Sequence, residues 1–204
     1  RFNNLINFNL SNKEKIFINR MFYQGFVKFL FNFIPWIKIN IDGINILKNI
    51  DLKKQNYIFI CNHVSFLDNF ILTLIIGYMK NYHYSEFIGA KFITNWWIVG
   101  TVFTGLGMLS IEFIDNNPNN KNKYSKESVS NLTNNCVKKL KQKHSLWLFP
   151  EGRLNDNPKI LNEIRGGAFK FQQDTNVPIL ILGMKNVDKI WKKNGYPTGY
   201  GNIT

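Results

Sequence analysis

His63 and Asp68 stand five residues apart in the stretch FICNHVSFLDNF, residues 59–70, where one apolar run gives way to the next. An imidazole acts as a base when one ring nitrogen is held by a partner and the other is free to take a proton. A carboxylate is the usual partner. His63 falls on the loop after a strand-like run, and Asp68 falls one turn into a helix expected from about Ser65, its candidate N-cap. Sites in open α/β sheets gather at such C-terminal strand ends. The pair reads as a general base and its orienter. The same spacing also fits a hydrogen-bonded structural histidine at a helix start. A metal centre is the weaker reading, because His83 and His144 sit in unrelated contexts and no third ligand lies near in sequence.

A second strand-then-loop unit follows in SLWLFPEGRLND, residues 145–156. Glu151 can accept a hydrogen bond from a hydroxyl or orient Arg153. Gly152 lets a ligand approach the main chain, and the Arg153 guanidinium offers a fork that matches phosphate. The plain alternative is a tight surface turn.

The elements that must position these residues alternate between strands and helices. IKINIDG (37–43), YIFIC (57–61), EFIGA (86–90), SLWLF (145–149) and VPILILGM (177–184) read as strands. SFLDNFILTLIIGYM reads as a buried helix. Val129, Leu132, Cys136, Val137 and Leu140 keep helical spacing with lysines between them. Residues 92–111 carry no charge and are long enough to span a bilayer, but glycines and threonines break the run into a buried or membrane-leaning helix, turn and strand. Residues 115–128 read as a polar loop. The expected fold is a single α/β domain, a mixed central sheet flanked by helices. It would occupy 36–204 and be truncated at its C-terminus, since GYGNIT reads as a strand just beginning. Residues 1–35 would form an N-terminal amphipathic, membrane-associating segment. Its apolar part, 21–34, equally fits a core helix.

Length and composition agree with one domain. The chain has 204 residues, 45% of them hydrophobic, enough for one sizeable core. Its net charge of +13 favours anionic partners. The lysines are scattered among asparagines without any nucleic-acid-binding signature, so a nucleic-acid partner is not expected. Eighteen phenylalanines beside those lysines suit a membrane surface better, although a compositional bias towards Lys and Asn accounts for part of the charge. Cys61 and Cys136 show neither metal nor disulfide spacing.

Asn-His-x4-Asp at 62–68 followed by Phe-Pro-Glu-Gly at 149–152 resembles the glycerolipid acyltransferase superfamily, which includes the lysophosphatidic acid acyltransferases. IRGGAFKF (164–171) resembles that family's Lys-Gly-Gly/Ala-Phe segment, with Arg165 and Lys170 as basic candidates. VPILILGMKN resembles its last apolar block. The resemblance covers about residues 36–186. Within the superfamily, FPEGRLN and GMKNV are most similar to the tafazzin branch. The arginine of the family's middle block is absent, with Phe113 or Asn116 near its place, so Lys91 would have to supply charge.

The resemblance implies O-acyl transfer to a lysophospholipid at a membrane surface. His63 and Asp68 would be catalytic, and Glu151, Gly152, Arg153, Arg165 and Lys91 would bind substrate. Backbone amides near Ser65 would stabilise the oxyanion. No cofactor or metal is implied. A tafazzin-like enzyme would take its acyl group from another phospholipid, with monolysocardiolipin as acceptor, and would be mitochondrial. The alternative, a lysophosphatidic acid acyltransferase, would use acyl-CoA as co-substrate at the endoplasmic reticulum membrane. A catalytically silent membrane-binding protein on the same scaffold is the reading from a different class.

Overall fold

The computed structural model describes residues 10–95, 97–114, 124–192 and 199–204. The loop expected at 115–128 lies, as far as residue 123 and including Asn116, outside the described residues. In chain order the elements are α1 (Asn12–Asn32), β1 (Ile37–Ile39), α2 (Ile44–Asn49), β2 (Ile58–Cys61), α3 (Asp68–Ile76) and β3 (Ser85–Ala90). A 3-10 turn (Lys91–Asn95), α4 (Trp97–Gly105), β4 (Leu109–Ile111), α5 (Lys126–Lys141) and β5 (Ser145–Leu148) follow. The last are α6 (Gly167–Thr175), β6 (Ile179–Leu182), α7 (Val187–Ile190) and β7 (Gly201–Ile203).

Five strands form one sheet in the order β4-β3-β5-β2-β6, and β1 pairs with β7 in a separate two-stranded sheet. Every pairing between these strands is parallel, which corrects the expected mixed sheet. Parallel neighbours need crossovers, and here helices provide them and cover both faces. The sequence carries the mark of this burial: all four residues of IFIC in β2 are buried. Alternate residues serve opposite layers. Phe59 and Cys61 join the core with α2, α3 and α7, while Ile58 and Ile60 join the core with α5 and α6. Phe59 stacks on its cross-strand partner Trp147, ring centroids 3.9 Å apart. Because β2 and β5 are parallel neighbours, the loops after Cys61 and after Leu148 leave the sheet side by side.

The N-terminal segment is joined to this core. α1 begins with a capping box between Ser11 and Glu14 and packs against α3 and α4. Its inward face carries Val27 and a buried arginine, Arg20. The Arg20 guanidinium donates to the carbonyls of His83 and Leu106 and to Glu86 Oε2, at 2.5 Å. Glu86 also receives Lys139 Nζ at 2.8 Å, and His144 Nδ1 approaches at 2.9 Å. Burial alone would raise this carboxyl, but His144, Arg20 and Lys139 outweigh it and hold Glu86 at about 2. The outward face of α1 is apolar, with Phe22, Phe26, Phe29 and Phe33 all exposed. No helix among the described residues is long and apolar enough to cross a membrane.

A carboxylate whose folded value lies below its ordinary value contributes stability at neutral pH and loses it as protons are forced on. Glu86 therefore costs the protein stability as pH falls from about 4.5 towards 2. In thermal melts, Glu86→Gln should lower Tm at pH 7, because Arg20 and Lys139 lose their anion. It should also flatten the fall in Tm over that acid range. An acid limb as deep in the variant as in the wild type would show that other carboxylates carry it.

Candidate active site

β2 delivers the chain to Asn62, whose side chain acts as one more rung of the sheet. It donates to Met184 O at 2.9 Å and accepts from Met184 N at 2.7 Å, pinning the loop to the chain beyond β6. His63 follows, with Nδ1 2.9 Å from Asp68 Oδ2. The same oxygen accepts from the main-chain N–H groups of Val64, at 2.7 Å, and Ser65, at 2.9 Å. Asp68 is the first residue of α3 rather than one turn inside it, so its side chain reaches back over its own loop. Ser65 is not the N-cap: its hydroxyl donates to Trp191 O and accepts from Leu67 N. The amides of Val64 and Ser65, expected to serve an oxyanion, are spent on Asp68.

In this arrangement His63 can act as a base. With Nδ1–H donated to an ionised Asp68, Nε2 keeps its lone pair. The ring lies flat on Phe149, centroids 3.8 Å apart, and the side chain remains 15% exposed, so the loop after β5 shapes one wall. Burial pushes the completely buried Asp68 carboxyl above its ordinary range, against the pull of His63 and the Ser65 and Val64 amides. An imidazolium at His63 would offset that burial, which is the condition a base needs during reaction.

Glu151 is buried, and both its oxygens are engaged inside the protein. Oε1 accepts from His63 N at 2.9 Å, and Oε2 accepts from Asn155 Nδ2 at 2.7 Å and Asn162 N at 3.0 Å. Asn155 N donates in turn to His63 O at 2.7 Å. The peptide groups on both sides of His63 are thus held by one loop. Glu151 makes no contact with Arg153 among the described residues. Asn155, which the sequence reading left without a role, closes the clamp.

Gly152 has φ +66°, and a Cβ there would lie 2.4 Å from Arg165 Nε and 2.9 Å from the Tyr124 hydroxyl. The space the motif was expected to leave for a ligand is bordered by Arg165, whose main-chain N–H donates to Pro150 O. Arg153 is exposed and makes no ion pair among the described residues. Lys91, on the 3-10 turn beyond β3, is exposed and pairs with Glu112 at 3.1 Å, and Lys170 pairs with Asp174 one helical turn on. The structure therefore gathers His63, Asp68, Glu151, Gly152 and Arg165 around two adjoining loops. Lys91 stands apart, with its charge already matched. A groove of about 1050 Å³ between α5 and α6 is lined by Lys126, Val129, Thr133 and Lys138 among others, and by none of the gathered residues. Burial raises the thiols of both cysteines, Cys136 to about 12, so neither is a nucleophile.

Comparison with known proteins follows the same lines. An acyltransferase family model matches residues 38–185. The crystal structure of the 1-acyl-sn-glycerophosphate (LPA) acyltransferase PlsC from Thermotoga maritima matches with a TM-score of 0.66 at 18% identity. The match covers 90% of this chain and 65% of that one, so the chain spans just under two thirds of that protein's length. No curated protein matches the chain.

The clamp is open to direct measurement. Hydrogen bonds to a buried charge are worth about 1.5–3 kcal/mol each, so losing one should speed local opening about tenfold or more. In native-state hydrogen exchange, Glu151→Gln and Asn155→Ala should each deprotect the His63 amide by that factor while Phe59 and Trp147 stay protected. Unchanged protection at His63 would show that the loop holds its shape without the clamp.

Proposed function

The chain belongs to the acyltransferase family, and from that premise we propose that it moves an acyl group from acyl-CoA to the free hydroxyl of a lysophospholipid such as 1-acylglycerol 3-phosphate. The observation that carries this reading is the oriented base: His63 backed by a buried Asp68, on a loop clamped at both peptide groups. Nε2 takes the proton of the acceptor hydroxyl as its oxygen attacks the thioester carbonyl. The tetrahedral adduct collapses to a new ester, and the imidazolium returns its proton to the departing thiolate. General-base catalysis of this kind contributes roughly 10²–10⁴-fold.

The lipid surface enters through α1. Phe22, Phe26, Phe29 and Phe33 recur at intervals of three and four residues, so they share the face opposite Arg20 and Val27. Burying one such ring is worth about 1.5–3 kcal/mol, which makes this stripe a membrane-docking face fixed to the domain by its inward side. The seat of the enzyme under this reading is the endoplasmic reticulum membrane.

A second reading takes the acyl group from another phospholipid, without coenzyme A, at a mitochondrial membrane. FPEGRLN and GMKNV favour it, and the Asn155 clamp gives the last residue of the first motif a task.

One vesicle assay separates these readings. Purified protein with 1-acylglycerol 3-phosphate and acyl-CoA should form the diacyl product, and His63→Ala should lower turnover by roughly 10²–10⁴-fold. Transfer from diacyl phospholipid in the absence of coenzyme A would instead support the second reading. No transfer from either donor would contradict both. In flotation of the same vesicles, replacing Phe22 and Phe26 together by Ser should release much of the protein, whereas unchanged flotation would place the membrane contact elsewhere.

A further inference from the structure

Val129, Thr133 and Val137 recur every four residues along α5, beside the stripe of Leu132, Cys136 and Leu140 that enters the core. The core leaves part of this second stripe uncovered: Val129 is 39% exposed, and Thr133 and Val137 are half-buried. Thr133 spends its hydroxyl on Val129 O, at 2.8 Å, so the stripe has little polarity of its own. It lines the groove of about 1050 Å³ between α5 and α6, where Lys126, Lys138 and Lys141 stand along one side and Lys170 on the other. Lys126, Lys138 and Lys141 are exposed and make no ion pair among the described residues. The acidic group along the groove, Asp174, is already paired with Lys170 at 3.4 Å. Lys138 and Lys141 suit the negative end of α5, but Lys126 begins the helix, where a cation is unfavourable. The row of cations therefore does more than complement its own helix.

We propose that the groove between α5 and α6 is a docking site for an acidic amphipathic helix of a protein partner. A helix laid in a groove is recognised through apolar side chains three and four residues apart, the interval that Val129, Thr133 and Val137 present. The groove has the length for one: at about 1.5 Å per residue, the sixteen residues of α5 run about 24 Å. Acidic residues flanking the partner's apolar face would meet Lys126 at one end and Lys138 and Lys141 at the other. A second copy of this chain fits badly, because two molecules of net charge +13 repel each other. A lipid surface fits less well too. Among the described residues no aromatic ring lines the groove, whereas exposed phenylalanines lie along α1. None of the residues gathered around His63 lines the groove, so a helix docked there leaves the base free to work.

The test is equilibrium binding, by the purified chain, of a fluorescent synthetic helix as long as α5 with leucines on one face and glutamates flanking them. A scrambled peptide of the same composition and a peptide with lysine for each glutamate serve as comparisons. Wild-type protein should bind the faced acidic helix at least tenfold tighter than either, and added salt should weaken that binding. Lys138→Glu with Lys141→Glu should weaken it at least tenfold, as should Val129→Asp, with thermal melts confirming that each variant folds. Lys13→Glu with Lys15→Glu, the same change of charge on α1, should bind as the wild type does. Amide shifts caused by the helix should map to α5 and α6, and acyl transfer should be unchanged in Lys138→Glu with Lys141→Glu. Equal affinity for the faced and scrambled peptides, or an equal loss in the α1 variant, would overturn the groove as a helix site. Shifts centred on α1 or on the loops around His63 would overturn its location. Unchanged peptide binding in the α5 double variant would overturn the protein partner: lost flotation on anionic vesicles would then give this face to lipid, and a raised KM for acyl-CoA would give it to the donor's nucleotide.

Discussion

Glu151 gives both carboxylate oxygens to N–H groups inside the protein, and in doing so joins the loop after β5 to the main chain at His63. The rest of the site follows from that bond. A loop between a strand and a helix has no regular partners of its own, so its N–H and C=O groups must be satisfied by something else. Here the N–H of His63 goes to Glu151, its C=O to Asn155, and the next two N–H groups to Asp68. Two carboxylates and one amide thus fix the four polar groups that decide where the imidazole points. The parallel pairing of β2 with β5 makes this possible, because it brings both loops to the same edge of the sheet.

Much of this was legible in the sequence, and the misses have physical causes. IFIC is apolar on every residue and SLWL on all but Ser145, a pattern that a strand covered on both faces tolerates, and both runs are strands of the sheet. The direction of pairing was not legible, since a short apolar run reads alike in a parallel or a mixed sheet. α2 and α7 escaped notice because helices of six and four residues carry too few turns to show a period. The spacing of His63 and Asp68 suggested a pair, the second motif strengthened that reading, and the two side chains do meet. The internal partners of Glu151 were not legible, since a motif shows that a carboxylate is needed without showing which side of the loop it faces. Tyr124 was missed altogether: it lies close to Arg165 only after the chain has passed through α5 and β5.

The opposite end of the sheet shows the same economy of charge. The buried Arg20 and Glu86, with the partly exposed Lys139 and His144, cluster around the start of β3 and hold α1 against the domain. Buried ion pairs of this kind are weak sources of net stability but strongly resist loss of one partner. α1 therefore cannot be treated as a detachable leader: its inward side completes an ionic cluster, and its outward side is free to present phenylalanines. A helix held in this way presents its aromatic face at a fixed orientation to the dyad, which a flexible tether would not.

The proposed reaction requires that the two loops hold the His63 ring with its proton on Nδ1, towards Asp68, and its Nε2 lone pair free. Nitrogen NMR of protein labelled at histidine measures this directly, because protonated and bare ring nitrogens resonate far apart. At a pH where the ring is neutral, His63 should show a protonated Nδ1 coupled to a bare Nε2, and Asp68→Asn should abolish that preference. A His63 ring protonated on Nε2 in the wild type, or a tautomer indifferent to Asp68→Asn, would contradict the account.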